Sequence, residues 1–171
     1  MDWMNAVGDL VQRYTGGGAG ASPAYENPHE DFQQVAQAAP KEVVASGLSQ
    51  AFQSDRTPPF PQMLANLFSQ SNPDQRAGLL SRIMSVIGPG AVASVPALSS
   101  LSSTGAGASV TPAQASQVSP QQVQQLAEHA ERQNPSVVDH VSDFYAQHPQ
   151  VVKAVGGLAL SIALQHMLRR R

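Results

Sequence analysis

The chain has 171 residues, enough for one domain or two small ones, and ten Lys and Arg against twelve Asp and Glu give a formal charge of −2. With charged residues at only 13% and no basic run before the last three positions, the footprint of a general nucleic-acid binder is excluded; one Trp, three Tyr and five Phe are too few for a stacking platform. The absence of cysteine excludes a disulfide framework, a thiolate zinc site, an iron–sulfur cluster and a cysteine nucleophile together.

Met1-Asp2-Trp3-Met4 lacks the basic start and apolar stretch of a secretory signal, so a cytoplasmic location is expected. Trp3, Val7, Leu10, Val11 and Tyr14 recur at three and four residues and predict an amphipathic helix over 1–14. Thr15-Gly16-Gly17-Gly18 ends it, and 15–27 reads as a flexible linker. From there the chain is punctuated by capping residues set before proline. Asn27-Pro28, Asn72-Pro73, Thr111-Pro112, Ser119-Pro120 and Asn134-Pro135 each predict a helix start, because the side-chain oxygen accepts from a first-turn amide and proline has no amide to leave unsatisfied. Ala39-Pro40, Phe60-Pro61 and His148-Pro149 predict three more.

Between these starts the spacing is helical: Phe32, Val35, Ala36 and Ala39 from about 28, then Val43, Val44, Leu48 and Phe52 from about 40. After a break at 54–59, Met63, Leu64, Leu67 and Phe68 mark a helix near 60–70, and Leu79, Leu80, Ile83, Met84 and Ile87 one near 73–87 that Gly88-Pro89-Gly90 stops. Residues 91–101 are Ala, Val, Ser and Leu with Pro96 inside, which allows at most a short or kinked helix. The run 102–110 is a second Gly/Ser/Ala linker and divides a subdomain over 28–101 from one over 111–171. Helices near 111–117, 120–133 and 135–147 follow, and a last one from about 149. No period-two run of β-branched residues occurs, so the expected fold class is all-α, a bundle of about eight to ten short helices without a sheet. The cap–proline unit recurs too unevenly for a solenoid.

Val151–Leu168 is an apolar run of 18 residues interrupted by Lys153, Gln165 and His166 and followed by Arg169, Arg170 and Arg171. A bilayer takes about 20 predominantly apolar residues. The run reads first as a buried bundle helix. It also reads as an oligomer contact or a tail engaging a membrane, through Val155, Gly156, Gly157, Leu160, Ser161, Leu164 and Leu168 with the three arginines.

Candidate chemistry is sparse. His29-Glu30-Asp31 lacks the second histidine of a zinc pair and reads as a polar first turn. Asp139, His140 and Asp143 could hold a divalent ion, but the stripe of Val138, Val141 and Tyr145 leaves them outward, on a solvated face. No serine sits in Gly-x-Ser-x-Gly, and the glycine runs lack the lysine of a phosphate loop. Pro58, Pro59 and Phe60, within Thr57–Pro61, form either a groove-binding polyproline element or, as favoured, a rigid corner plugged by Phe60.

The opening helix with its glycine run, Val-Ser-Pro-Gln-Gln-Val-Gln-Gln-Leu at 118–126 and Asn-Pro-Ser-Val-Val-Asp at 134–139 resemble small bacterial helical proteins of the YidB-like kind, over about a third of the chain. The resemblance implies an all-helical fold, and it supplies no established activity and no functional residue to carry over. The expectation is a non-enzymatic, self-associating or scaffold-type protein, partnered by itself or another protein, with no cofactor, no metal, no nucleic acid and no small-molecule substrate. A membrane-associated protein using 149–171 is the alternative, and a small helical enzyme or metal-binding protein the second.

Overall fold

In the computed structural model the described residues are 27–88 and 109–169, with isolated positions 5, 8, 12, 90, 93, 96 and 99. They form nine α-helices and no strand. The helices are α1 (Pro28–Ala38), α2 (Lys41–Phe52), α3 (Phe60–Gln70), α4 (Pro73–Ile87), α5 (Pro112–Gln117), α6 (Pro120–Gln133), α7 (Val137–Ala146), α8 (Pro149–Val152) and α9 (Gly157–Arg169), with a 3-10 turn, Lys153–Val155, before α9. The all-α class expected from the sequence is what the chain adopts.

The caps explain the starts. At α4 the Gln75 amide donates to Asn72 Oδ1 at 2.8 Å while the Asn72 amide donates to Gln75 Oε1 at 3.1 Å, so each residue satisfies an orphan amide of the other. Thr111 with Gln114 and Ser119 with Gln122 close the same reciprocal box on α5 and α6. Asn27 does not cap through its side chain. Asn134 acts one turn early, since its Oδ1 accepts from the Ser136 amide at 3.1 Å and hydroxyl at 2.7 Å, and α7 begins at Val137 rather than 135.

The larger departure is at the carboxy-terminal run, expected as one helix from about 149. Gly156, at φ +95°, breaks it into α8, the 3-10 turn and α9. A residue with a Cβ rarely adopts that φ, so the glycine marks where the run divides. The longest piece has 13 residues, and no helix among the described residues is long and apolar enough to cross a membrane.

The chain forms two compact units, Met1–Thr57 with Ser142–Arg171, and Pro58–Val141. This grouping differs from the subdomains 28–101 and 111–171, because it follows helix packing that joins distant segments. In the first unit α9 packs on α2 and α1, and α8 on α1. Phe32, Val35, Val44, Leu48 and Phe52 are buried there with Leu160, Leu164 and Leu168. In the second, α3 packs on α6, α4 on α5, and α4 on α6, around Met63, Leu67, Phe68, Leu80, Ile83 and Leu126. Arg76 of α4 reaches back to the end of α3, its Nε donating to the Phe68 carbonyl at 3.0 Å and its terminal nitrogen to that of Ser69 at 3.0 Å, with the guanidinium 5.0 Å from the Phe68 ring centre.

Of the expected first helix, Asn5, Gly8 and Gln12 are helical and Asn5 and Gln12 exposed, as off-stripe positions should be. The stripe itself, residues 15–26 of the first linker and 102–108 of the second lie outside the described residues.

Candidate functional site

The residues singled out in the carboxy-terminal run divide by face. Leu160, Ser161, Leu164 and Leu168 are buried on the side of α9 that meets α1 and α2, and Val155 is buried just before it. These are intramolecular core positions, so they do not present themselves to a partner or a lipid. The Ser161 hydroxyl donates to the Gly157 carbonyl at 2.8 Å, which lets a polar side chain sit in that core. Gly156 and Gly157 are half-buried, and a Cβ on Gly157 would lie 3.2 Å from Pro28 Cγ. Arg169 is exposed; Arg170 and Arg171 lie outside the described residues.

The opposite face of α9 carries the accessible chemistry. Leu158 is 55% exposed, the one large hydrophobic side chain so exposed among the described residues. Ile162, one turn on, is half-buried, Gln165 follows, and the stripe ends at Arg169. It begins aliphatic and ends cationic. The sequence reading missed it because it treated the run as apolar all round; the signal was a spacing of four between Leu158 and Ile162, with Gln165 and Arg169 continuing the face.

Helix packing also joins two residues that sequence reasoning left apart. Ser46 of α2 and His166 of α9, separated by 120 residues, lie with Oγ 3.1 Å from Nε2. Next to them α9 lies tight against α2 at Gly47, where a Cβ would stand 2.7 Å from Met167 Cγ and 2.9 Å from the Ala163 carbonyl oxygen. A hydroxyl against an imidazole is the first pair of a nucleophilic relay. Here Ser46 lies in the middle of α2, whose amides are spent on its own ladder, so the pair acts as a polar tie across the helix crossing.

At the proline corner Pro58 and Pro59 are exposed while Phe60 is 2% exposed, the plugged corner expected. The Thr57 hydroxyl fastens its approach, lying 2.7 Å from the Ala51 carbonyl and 2.9 Å from that of Ser54. Asp139, His140 and Asp143 are exposed on α7, as are His29 and Glu30 on α1. Among the described residues no group of three or more His, Asp or Glu could hold a metal ion. His148, before α8, has its ring 4.8 Å from that of Phe144, and burial holds its pKa below the ordinary histidine value. Compared with protein-family models, curated proteins and solved structures, the chain finds no match.

Proposed function

We propose that this chain is a non-enzymatic, self-associating scaffold protein of the cytoplasm whose contact face is the outer stripe of α9, headed by Leu158. The observation that carries the reading is the 55% exposure of Leu158 on a helix whose other leucines are buried. Burying the exposed half of this side chain against a second copy gains about 1 kcal/mol. The polar side chains support the same reading, since Asn72, Thr111 and Ser119 are engaged in helix caps rather than turned towards a shared cleft. The YidB-like resemblance adds a bacterial origin and no activity.

The competing reading is a peripheral membrane contact, favoured by the passage of the stripe from Leu158 and Ile162 to Arg169. Sedimentation of the full chain over a hundredfold concentration range separates them. Self-association predicts a mass that rises with concentration and a Leu158→Ser variant that stays monomeric with unchanged helix content. A wild-type chain that remains monomeric throughout sinks the scaffold reading, and its flotation with anionic vesicles, lost in Leu158→Ser, establishes the membrane one.

A further inference from the structure

Within Pro58–Val141 one pattern occurs twice, 47 positions apart. Ser69-Gln70-Ser71-Asn72-Pro73-Asp74-Gln75 with Leu79 is matched by Ser116-Gln117-Val118-Ser119-Pro120-Gln121-Gln122 with Leu126. In each, a helix ends, one buried residue turns the corner (Ser71, Val118), and a capping box with glutamine at its third position opens the next helix. Burial runs in step, with Phe68 and Ala115, Leu79 and Leu126, Leu80 and Ala127, and Ile83 and Ala130 all inside. Past the second helix Gly90, Ala93 and Ser99 are helical like their counterparts Val137, His140 and Ala146 of α7, whereas Pro96 is in a 3-10 turn and its counterpart Asp143 is α-helical.

The packing has the same symmetry. Exchanging α3 with α5 and α4 with α6 turns the α3–α6 contact into the α5–α4 contact and maps α4–α6 onto itself. Each arm therefore lays its first helix on the second helix of the other, with the two second helices, α4 and α6, in contact between them. Independent arms that merely abut have no reason to pair in this crossed fashion. The arms are not identical: α5 has 6 residues where α3 has 11, and Arg76 of the first arm stands where the second has Val123.

We infer that this unit is a fused pair of one self-complementary helical arm, and that the partner its arm interface fits is the same arm of a second copy of this chain, taken up by exchange. The interface in an exchanged dimer is the one that closes the single chain. What favours the closed form is the covalent link between Gly88 and Ser109, which holds the arms at an effective concentration of about millimolar. Exchange is thus captured where opened chains meet at comparable concentration. This inference stands on the repeat and not on the α9 stripe, so it is tested in the Leu158→Ser background, where stripe contacts are removed.

The test uses the full chain with a protease recognition sequence replacing residues 102–107, unfolded in urea and refolded either dilute or near millimolar. Dilute refolding gives a monomer; concentrated refolding gives a native-like dimer that copurifies two differently tagged preparations. Cutting the link halves the mass of an exchanged dimer, because each half then consists of residues before the cut from one copy and after it from the other. A surface-associated dimer keeps its mass. A chain that refolds only to monomer near millimolar, or a dimer whose mass cleavage leaves unchanged, overturns the inference. If the inserted sequence prevents folding, the uncut Leu158→Ser chain refolded near millimolar and then diluted decides the matter in its place: an exchanged dimer keeps two tags together until it is unfolded again, whereas a dimer that separates on dilution overturns the inference.

Discussion

Gly47 shows how a single absent atom determines a helix crossing. Its alanine variant gains about 0.5–1 kcal/mol of helix propensity but sets a Cβ against Met167 and the Ala163 carbonyl, and overpacking costs about 1–3 kcal/mol. We expect a net loss in urea unfolding, and a double variant with Met167→Ala that is less destabilised than the two single losses added together, since the methionine side chain is what the new Cβ displaces; equal stability of Gly47→Ala and wild type would show that the crossing is looser than described. His148 yields a pH dependence. Its folded pKa lies below its unfolded value near 6.5, so between the two the unfolded chain binds more protons and stability rises with pH. The contribution is complete above the unfolded value and lost as pH falls through the folded one. Thermal midpoints at pH 5 and 7.5 should therefore differ less in His148→Gln than in wild type. The crossing at Gly47 was not legible in the sequence: Gly47 sits in an unremarkable Ala-Ser-Gly-Leu run, and the neighbouring Ser46–His166 contact joins residues 120 apart, beyond any local period.

Elements were the legible scale, for a local reason. A cap oxygen and a proline act within one turn, so Asn72, Thr111 and Ser119 announce their helices without reference to the rest of the chain. Ser119→Ala should cost about 1 kcal/mol in urea unfolding, with Ser119→Asn close to neutral. Where a glycine decides, local reading fails, because Gly156 could have continued the last helix as easily as broken it. Gly156→Ala tests this: at φ +95° the variant should lose roughly 1–3 kcal/mol, whereas Gly157→Ala, whose backbone is helical and whose new Cβ meets only Pro28 Cγ at 3.2 Å, should lose less. The two faces of α9 separate in the same assay. Leu164→Ala is expected to cost about 2–5 kcal/mol and Leu158→Ala well under 1, and similar losses at both sites would mean that Leu158 is not on the outer face.

At the scale of the whole molecule the grouping into units depended on contacts that sequence patterning does not encode. Each amphipathic stripe says that a face will be buried but not against which neighbour, so a division at the composition shift of 102–110 was the natural reading, while packing unites α1 and α2 with α9. If the units are separately cooperative, removing residues 157–171 should release the amides of α1 and α2 to hydrogen exchange while those of α3, α4 and α6 stay protected; exchange throughout the chain would show a single cooperative block.

The discontinuity of the first unit also orders events during synthesis. Domains commonly fold in the order in which they leave the ribosome. Here α1 and α2 emerge first but cannot complete their core until α9 arrives, after everything between them has been made. The inner unit, Pro58–Val141, can close while the outer one is still waiting, with the apolar faces of α1 and α2 unsatisfied in the interval. A nascent chain halted before α9 is therefore the form in which this protein is most exposed to chaperones and to aggregation, and the product of a premature stop codon within α9 should be cleared by proteolysis even though every helix of the second unit has already been made.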